Sequence, residues 1–132
     1  MSITDVLFSF NGRIKRTTWW VVNILLVLIS YGAIYLFFGL LSYLWEPVIY
    51  YGAIGIYILF NLLAIWIYFA VGVKRLHDRD KSGWWFLISL IPIIGVIWMI
   101  VDLGLLKGTT GPNKYNPDLT MDEVVVAEQG DT

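Results

Sequence analysis

The residues best equipped for chemistry lie in one polar stretch, Lys74-Arg75-Leu76-His77-Asp78-Arg79-Asp80-Lys81-Ser82-Gly83. An imidazole beside two carboxylates is the raw material of a metal site or of acid–base catalysis, because histidine titrates near neutrality and both groups ligate divalent ions. His77 is the single histidine of the 132-residue chain, however, and there is no cysteine. A thiolate zinc site, a cysteine nucleophile and a disulfide framework are thereby excluded. No Ser-His-Asp order, Gly-rich phosphate loop or pair of carboxylates within an apolar run offers another chemistry. The His77–Asp78 pair is read as ordering a tight loop, and no catalytic residue, metal or cofactor is expected.

The elements that must position this loop are apolar. Hydrophobic residues make up 58% of the chain and charged ones 14%, and the charges fall in a few blocks. A soluble protein of this length could not hide that much apolar surface. Thr17 to Trp45, Pro47 to Val73 and Ser82 to Val101 carry no charge, and each reaches the roughly 20 residues that cross about 30 Å of hydrocarbon. Glu46-Pro47 marks a turn outside the bilayer core, since an unpaired carboxylate is costly there and proline resists continuing a helix. Pro92 and Gly95 predict a kink in the third span. The expected fold is an all-α integral membrane protein with three transmembrane helices, at about 18–44, 48–73 and 83–101. A re-entrant third segment is the alternative.

Trp and Tyr favour the headgroup zone. Trp19, Trp20, Trp66, Tyr68, Trp84 and Trp85 are assigned to one belt, and Tyr43, Trp45, Tyr50, Tyr51 and Trp98 to the other. Arg13, Lys15 and Arg16 precede the first span, while Lys74, Arg75, Arg79 and Lys81 follow the second. Retention of Lys and Arg in the cytoplasm puts both groups, and the N-terminus, on that side, with the C-terminus extracytoplasmic. With the two Trp pairs at one depth, the Gly12-Arg13 turn and the His77–Asp78 loop should form one site, in which Arg13 or Arg16 meets Asp78 or Asp80.

Residues 1–118 are expected to form a single membrane domain. Its first part is a short interfacial amphipathic helix over about 2–11, in which Ile3, Val6, Leu7 and Phe10 share a face and Ser2 and Asp5 have capping-box spacing. Asn61, midway along the second span, is assigned an interhelical hydrogen bond, and Gly32, Gly39, Gly52 and Gly55 are assigned to close helix packing. Gly, Pro and Asn are dense over 107–118, which predicts an ordered turn-rich loop. An acidic flexible tail over 119–132 is expected to follow.

Four motifs in order carry a family resemblance: Phe10-x-Gly12-Arg13-x-x-Arg16-x-x-Trp19-Trp20; Arg75-Leu76-His77-Asp78 with Ser82-Gly83-Trp84-Trp85; Pro92-x-x-Gly95; and Gly108-Thr109-x-Gly111-x-Asn113-x-Tyr115. From about Phe10 to Asp118 the chain resembles the YhaH-like bacterial inner-membrane proteins grouped as domain of unknown function 805. The resemblance implies a bacterial inner-membrane location and names no reaction.

The leading functional expectation is a non-catalytic binding or accessory protein. A cytoplasmic collar of Arg13, Lys15, Arg16, Lys74, Arg75, His77, Asp78, Arg79 and Lys81, with Trp19, Trp20, Trp84 and Trp85, would engage anionic lipid headgroups or a membrane-protein partner. An oligomeric transporter or channel is the alternative, followed by an enzyme acting on lipid headgroups and by a holin-like role. Membrane lipids and a second copy are thus the expected partners, and no nucleic acid is.

Overall fold

The computed structural model describes residues 2–43, 46–116 and 129. Its first helix, α1 (Ile3–Phe8), opens with a capping box in which the Ser2 hydroxyl accepts from the Asp5 amide and the Asp5 carboxylate accepts from the Ser2 amide, both at 3.1 Å. The helix ends before the expected residue 11. The Trp66 indole donates to the Phe8 carbonyl at 3.3 Å, and the Phe10 ring stands edge-on to Trp66 with centroids 5.1 Å apart, which draws the chain out of the helix.

Two long helices follow, α2 (Arg16–Leu41) and α3 (Pro47–Asp78). Nothing between Arg16 and Leu41 breaks a helix. Glu46 caps α3 and Pro47 occupies its first turn, where the absent N–H costs nothing. These are the two helices among the described residues that are long and apolar enough to cross a membrane. In α2 only Trp19 is fully buried, and most of its other apolar side chains face outward as they would toward lipid. The two helices meet through Phe37 and Tyr57, whose rings stack at 4.5 Å.

The glycines assigned to close packing make none within this chain: a Cβ added at Gly32, Gly39, Gly52 or Gly55 would meet nothing within 4 Å. The Asn61 amide donates 2.8 Å to Tyr57 O, one turn back on its own helix, and makes no interhelical bond among the described residues.

Helix α3 runs five residues past the expected span end and stops in a Schellman motif. Asp80 takes the left-handed conformation (φ 56°), its amide reaching His77 O at 3.0 Å and the Lys81 amide reaching Leu76 O at 2.9 Å. Asp80 therefore terminates α3, and Ser82 alone caps the next element, its hydroxyl accepting from Trp84 N at 3.4 Å.

The third apolar segment is not the single kinked helix expected over 83–101. A 3-10 helix (Gly83–Leu90) leads to a reversal at Ile91–Ile93, and α4 (Ile94–Met99) returns and widens into a π-helical turn (Ile100–Leu105). Pro92 has no amide to donate, Ile93 adopts φ 66°, and Gly95 lies so close to Ile88 O that a Cβ would stand 2.3 Å from it. Both ends of the segment lie together, because Asp102 accepts from Lys81 Nζ at 2.6 Å. Trp98, assigned to the far belt, stacks on Trp85 at the same end as Lys81. Trp45 and the tail expected to be flexible lie outside the described residues, Gln129 excepted.

The buried core sits entirely at this end. Ile14, Trp19, Ile67, Val71, Leu76, Phe86, Met99 and Leu103 form one cluster. Gly72 makes room for it, since a Cβ there would be 2.0 Å from the Phe86 ring.

Candidate functional site

Under this core, the charged residues of four chain stretches converge. Arg75 is fully buried. Its Nε donates to Leu103 O at 2.8 Å and its Nη2 to Leu106 O at 2.7 Å, while Nη1 contacts Ile14 O at 3.4 Å and forms an ion pair with the Asp78 carboxylate. One guanidinium, with its five fixed donors, thereby ties the chain before α2 to the chain after α4.

Asp78 is the second pivot. Its other oxygen receives Arg13, with Nε and Nη2 each 3.0 Å away. Arg13 continues outward to Gly111 O at 2.7 Å and Thr109 O at 2.6 Å, and the Thr109 amide donates 2.7 Å to Asp78 O. Charge-assisted bonds of this kind are shorter and stronger than neutral ones. Gly108 passes so close that a Cβ would lie 1.8 Å from Asp78 Oδ2, which leaves no room for any other residue.

His77 latches the following segment. Its Nδ1 is 3.2 Å from Gly12 O, its ring stacks on Tyr115 at 3.8 Å and 8°, and its carbonyl accepts from Asn113 Nδ2 at 2.9 Å. The left-handed φ of Gly12 (92°) and Gly111 (81°) lets both strands of backbone present carbonyls inward. Burial pushes the His77 imidazole below its ordinary value, the Gly12 carbonyl pulls it back, and the nearby Lys114 charge lowers it again.

Lys74 is also fully buried, with its ammonium on the carbonyls of Asp5 and Val6, which holds α1 against α3. Burial lowers its pKa, offset by the Asp5 carboxylate. On the other flank, Asp102 accepts from Lys81 and stands 3.4 Å from Arg79 Nη2. The Lys81 ammonium also lies 5.4 Å above the Trp85 ring and 5.5 Å from that of Trp98. Arg16 donates to Leu105 O at 3.0 Å and Trp20 to Gly104 O at 2.9 Å.

The collar expected from sequence is thus divided. Lys74, Arg75 and Trp19 point inward and present nothing to solvent, whereas Trp84 and Trp85 are exposed and Lys15, Arg16, Arg79 and Lys81 are half-buried. Arg13, His77 and Asp78 come together, and Asp80 stands apart as a helix terminator. Sequence reasoning missed Asp102 and the carbonyls of Leu103 and Leu106 as partners of the basic residues. The one available signal was a carboxylate just after an apolar run. No group of three or more potential metal ligands occurs among the described residues.

Every motif behind the family resemblance now has a place in one structure: Gly12 and Arg13, Arg75 to Asp78, the Pro92–Gly95 reversal, and Gly108 to Tyr115. The family model described as "Protein of unknown function (DUF805)" matches residues 7–117. The chain belongs to the DUF805 family. Among its relatives, the Escherichia coli K12 inner membrane protein YhaH is 33% identical over 114 residues, covering 83% of this chain and 86% of the relative. Inner membrane protein YhaI of the same strain is 30% identical over 121 residues, covering 89% and 92%. The uncharacterized protein YiiR is 32% identical over 153 residues, covering 89% and 90%. No solved structure gives a significant match. With outward-facing apolar helices and inner-membrane relatives, this DUF805 member is an integral protein of the bacterial inner membrane.

Removing the shared carboxylate should be severe, because breaking a buried ion pair costs about 3–5 kcal/mol by leaving the other charge uncompensated. Asp78→Asn is expected to lower the melting temperature in detergent well below wild type, while Asp80→Asn, at an exposed helix terminus, should leave it unchanged. Equal melting of the two variants would refute the pivot role of Asp78. The His77 latch should respond to pH. With its folded pKa below the free value of about 6.5, the released ring binds a proton that the stacked ring resists, so the latch is fully stable above that pH and weakens as pH falls through it. Hydrogen exchange in residues 109–116, corrected for intrinsic rates, should quicken from about pH 7.5 to about pH 5.5 in wild type and stay flat in His77→Gln. An identical pH response in that variant would exclude the histidine.

Proposed function

We propose that the chain crosses the bilayer twice, through α2 and α3, with 83–105 as a re-entrant hairpin and both termini in the cytoplasm. The 3-10 helix of eight residues rises about 16 Å, half of the roughly 30 Å hydrocarbon thickness, before the chain turns back. The 3-10 helix packs on α3 and the π-helical turn on α2 and α3, while the apolar side chains of the reversal, Ile91 and Ile93, are exposed as they would be in hydrocarbon. All nine Lys and Arg then lie on one side, and Glu46 is the lone charge of the opposite loop. This distribution obeys the retention of basic residues more fully than three crossings would. Single cysteines at Ser2, Asp80 and Lys114 should be shielded from an impermeant thiol reagent in intact cells, and one at Ser42 labelled. Labelling at Lys114 would restore the three-span arrangement.

On this platform the protein acts as a non-catalytic accessory whose collar holds anionic lipid headgroups. The carrying observation is that exposed Trp84 and Trp85 sit with Lys81, whose ammonium lies over the Trp85 ring, and that Lys107 is exposed while Lys74 and Arg75 have turned inward. Juxtamembrane Lys and Arg gain about 1 kcal/mol each from an anionic leaflet, and indoles fix the depth. Native mass spectrometry should find phosphatidylglycerol retained over phosphatidylcholine, with retention reduced in the Lys107→Gln variant. Equal retention of the two lipids by the wild type would overturn the reading.

A further inference from the structure

A groove of about 300 Å³ runs along one flank of the α2–α3 pair, away from the charged site. Asn23, Val27, Ser30 and Ile34 border it from α2 and Asn61 and Ala64 from α3. The α2 residues recur at spacings of four, three and four, the stripe by which one helix packs along another. The groove is not simply apolar. Asn23 donates 2.7 Å to Trp19 O and Asn61 donates 2.8 Å to Tyr57 O, which uses one N–H of each carboxamide. Each retains a second N–H and a carbonyl oxygen that meet no group among the described residues. Asn61 lies roughly 20 Å from either end of α3 at 1.5 Å per residue, so neither bulk water nor a lipid headgroup reaches it. Hydrocarbon leaves such a group unsatisfied, and another helix with polar side chains at the same depth satisfies it.

We propose that this groove is the interface of a homodimer, its occupant being a second copy of the chain. Two copies inserted in the same direction are related by a two-fold axis along the membrane normal, which brings each residue opposite its own counterpart at equal depth. A carboxamide both donates and accepts, so Asn61 is complementary to Asn61 and needs no other partner chemistry. The two α2–α3 pairs then form a four-helix arrangement with helical seams facing inward. An acyl chain would fill the same volume but would leave both carboxamides unsatisfied. The glycines Gly32 and Gly52 lie half a helical turn from Asn23 and Asn61 and stay outside the interface.

The natural absence of cysteine gives a direct test. Ala64→Cys, in the groove, should form a covalent dimer in native membranes under a membrane-permeant oxidant, several-fold more than Leu59→Cys, which sits at similar depth on the opposite face of α3. Wild-type protein in native-lipid particles should have twice the mass of one chain, and Asn61→Leu should shift it toward one chain. Equal cross-linking at 59 and 64 overturns the proposal. So does a wild-type particle holding one chain, whether or not it carries a bound lipid or a different protein. The particle mass is read on unmodified protein, so the test stands even if Asn61→Leu does not fold.

Discussion

A guanidinium buried away from water must be met on every side, and the structure is arranged around meeting that of Arg75. Its partners are carbonyls of Ile14, Leu103 and Leu106 and the carboxylate of Asp78. The three carbonyls lie far from it in sequence. To supply them, the chain before α2 must fold against α3, and the apolar segment after α3 must come back to where it started. The reversal at Ile91–Ile93 and the close approach of Gly108 to Asp78 follow from that requirement. Burial of an ion pair is weak evidence of net stability, but with so many partners fixed in direction it selects one arrangement over others.

Between lipid-facing helices there is little hydrophobic gain in association, because lipid tails are as apolar as leucine. The protein places its directional contacts accordingly. Beyond the level of Ile67, α2 and α3 bury almost nothing within the chain, while the charged end combines a compact apolar cluster with bonds from Lys74, Arg75, Arg13 and Lys81. Tertiary specificity is thereby concentrated in the part of the molecule that adjoins water.

Much of this was legible in the sequence. Uncharged runs located α2 and α3, Glu46-Pro47 located the turn between them, and the spacing of Ser2 and Asp5 gave the cap of α1. Placing two Trp pairs at one depth also brought Arg13 to Asp78. The third segment was expected as one kinked helix, with a re-entrant form as the alternative, because membrane helices tolerate proline and glycine and Pro92 and Gly95 do not by type distinguish a kink from a reversal. The acceptors of Arg75 are backbone carbonyls, which every residue has and no sequence pattern marks. The bond of Asn61 to its own helix was not marked either, because any carbonyl one turn back can accept it. Trp98 was placed by counting along a straight span that the chain does not follow.

The long sequence separation of the Arg75 partners has a consequence for the order of events during synthesis. Helices α2 and α3 are complete once residue 78 has been made, yet of the Arg75 partners described above Asp78 and the segment around Ile14 alone then exist. The carbonyls of Leu103 and Leu106, and the loop that receives Arg13, come some 25 to 33 residues later. Until then the guanidinium must stay hydrated, which holds the charged end of the helical pair open to water. Closure of the charged end therefore waits on the C-terminal side of the chain, whose backbone carbonyls replace the last water around Arg75.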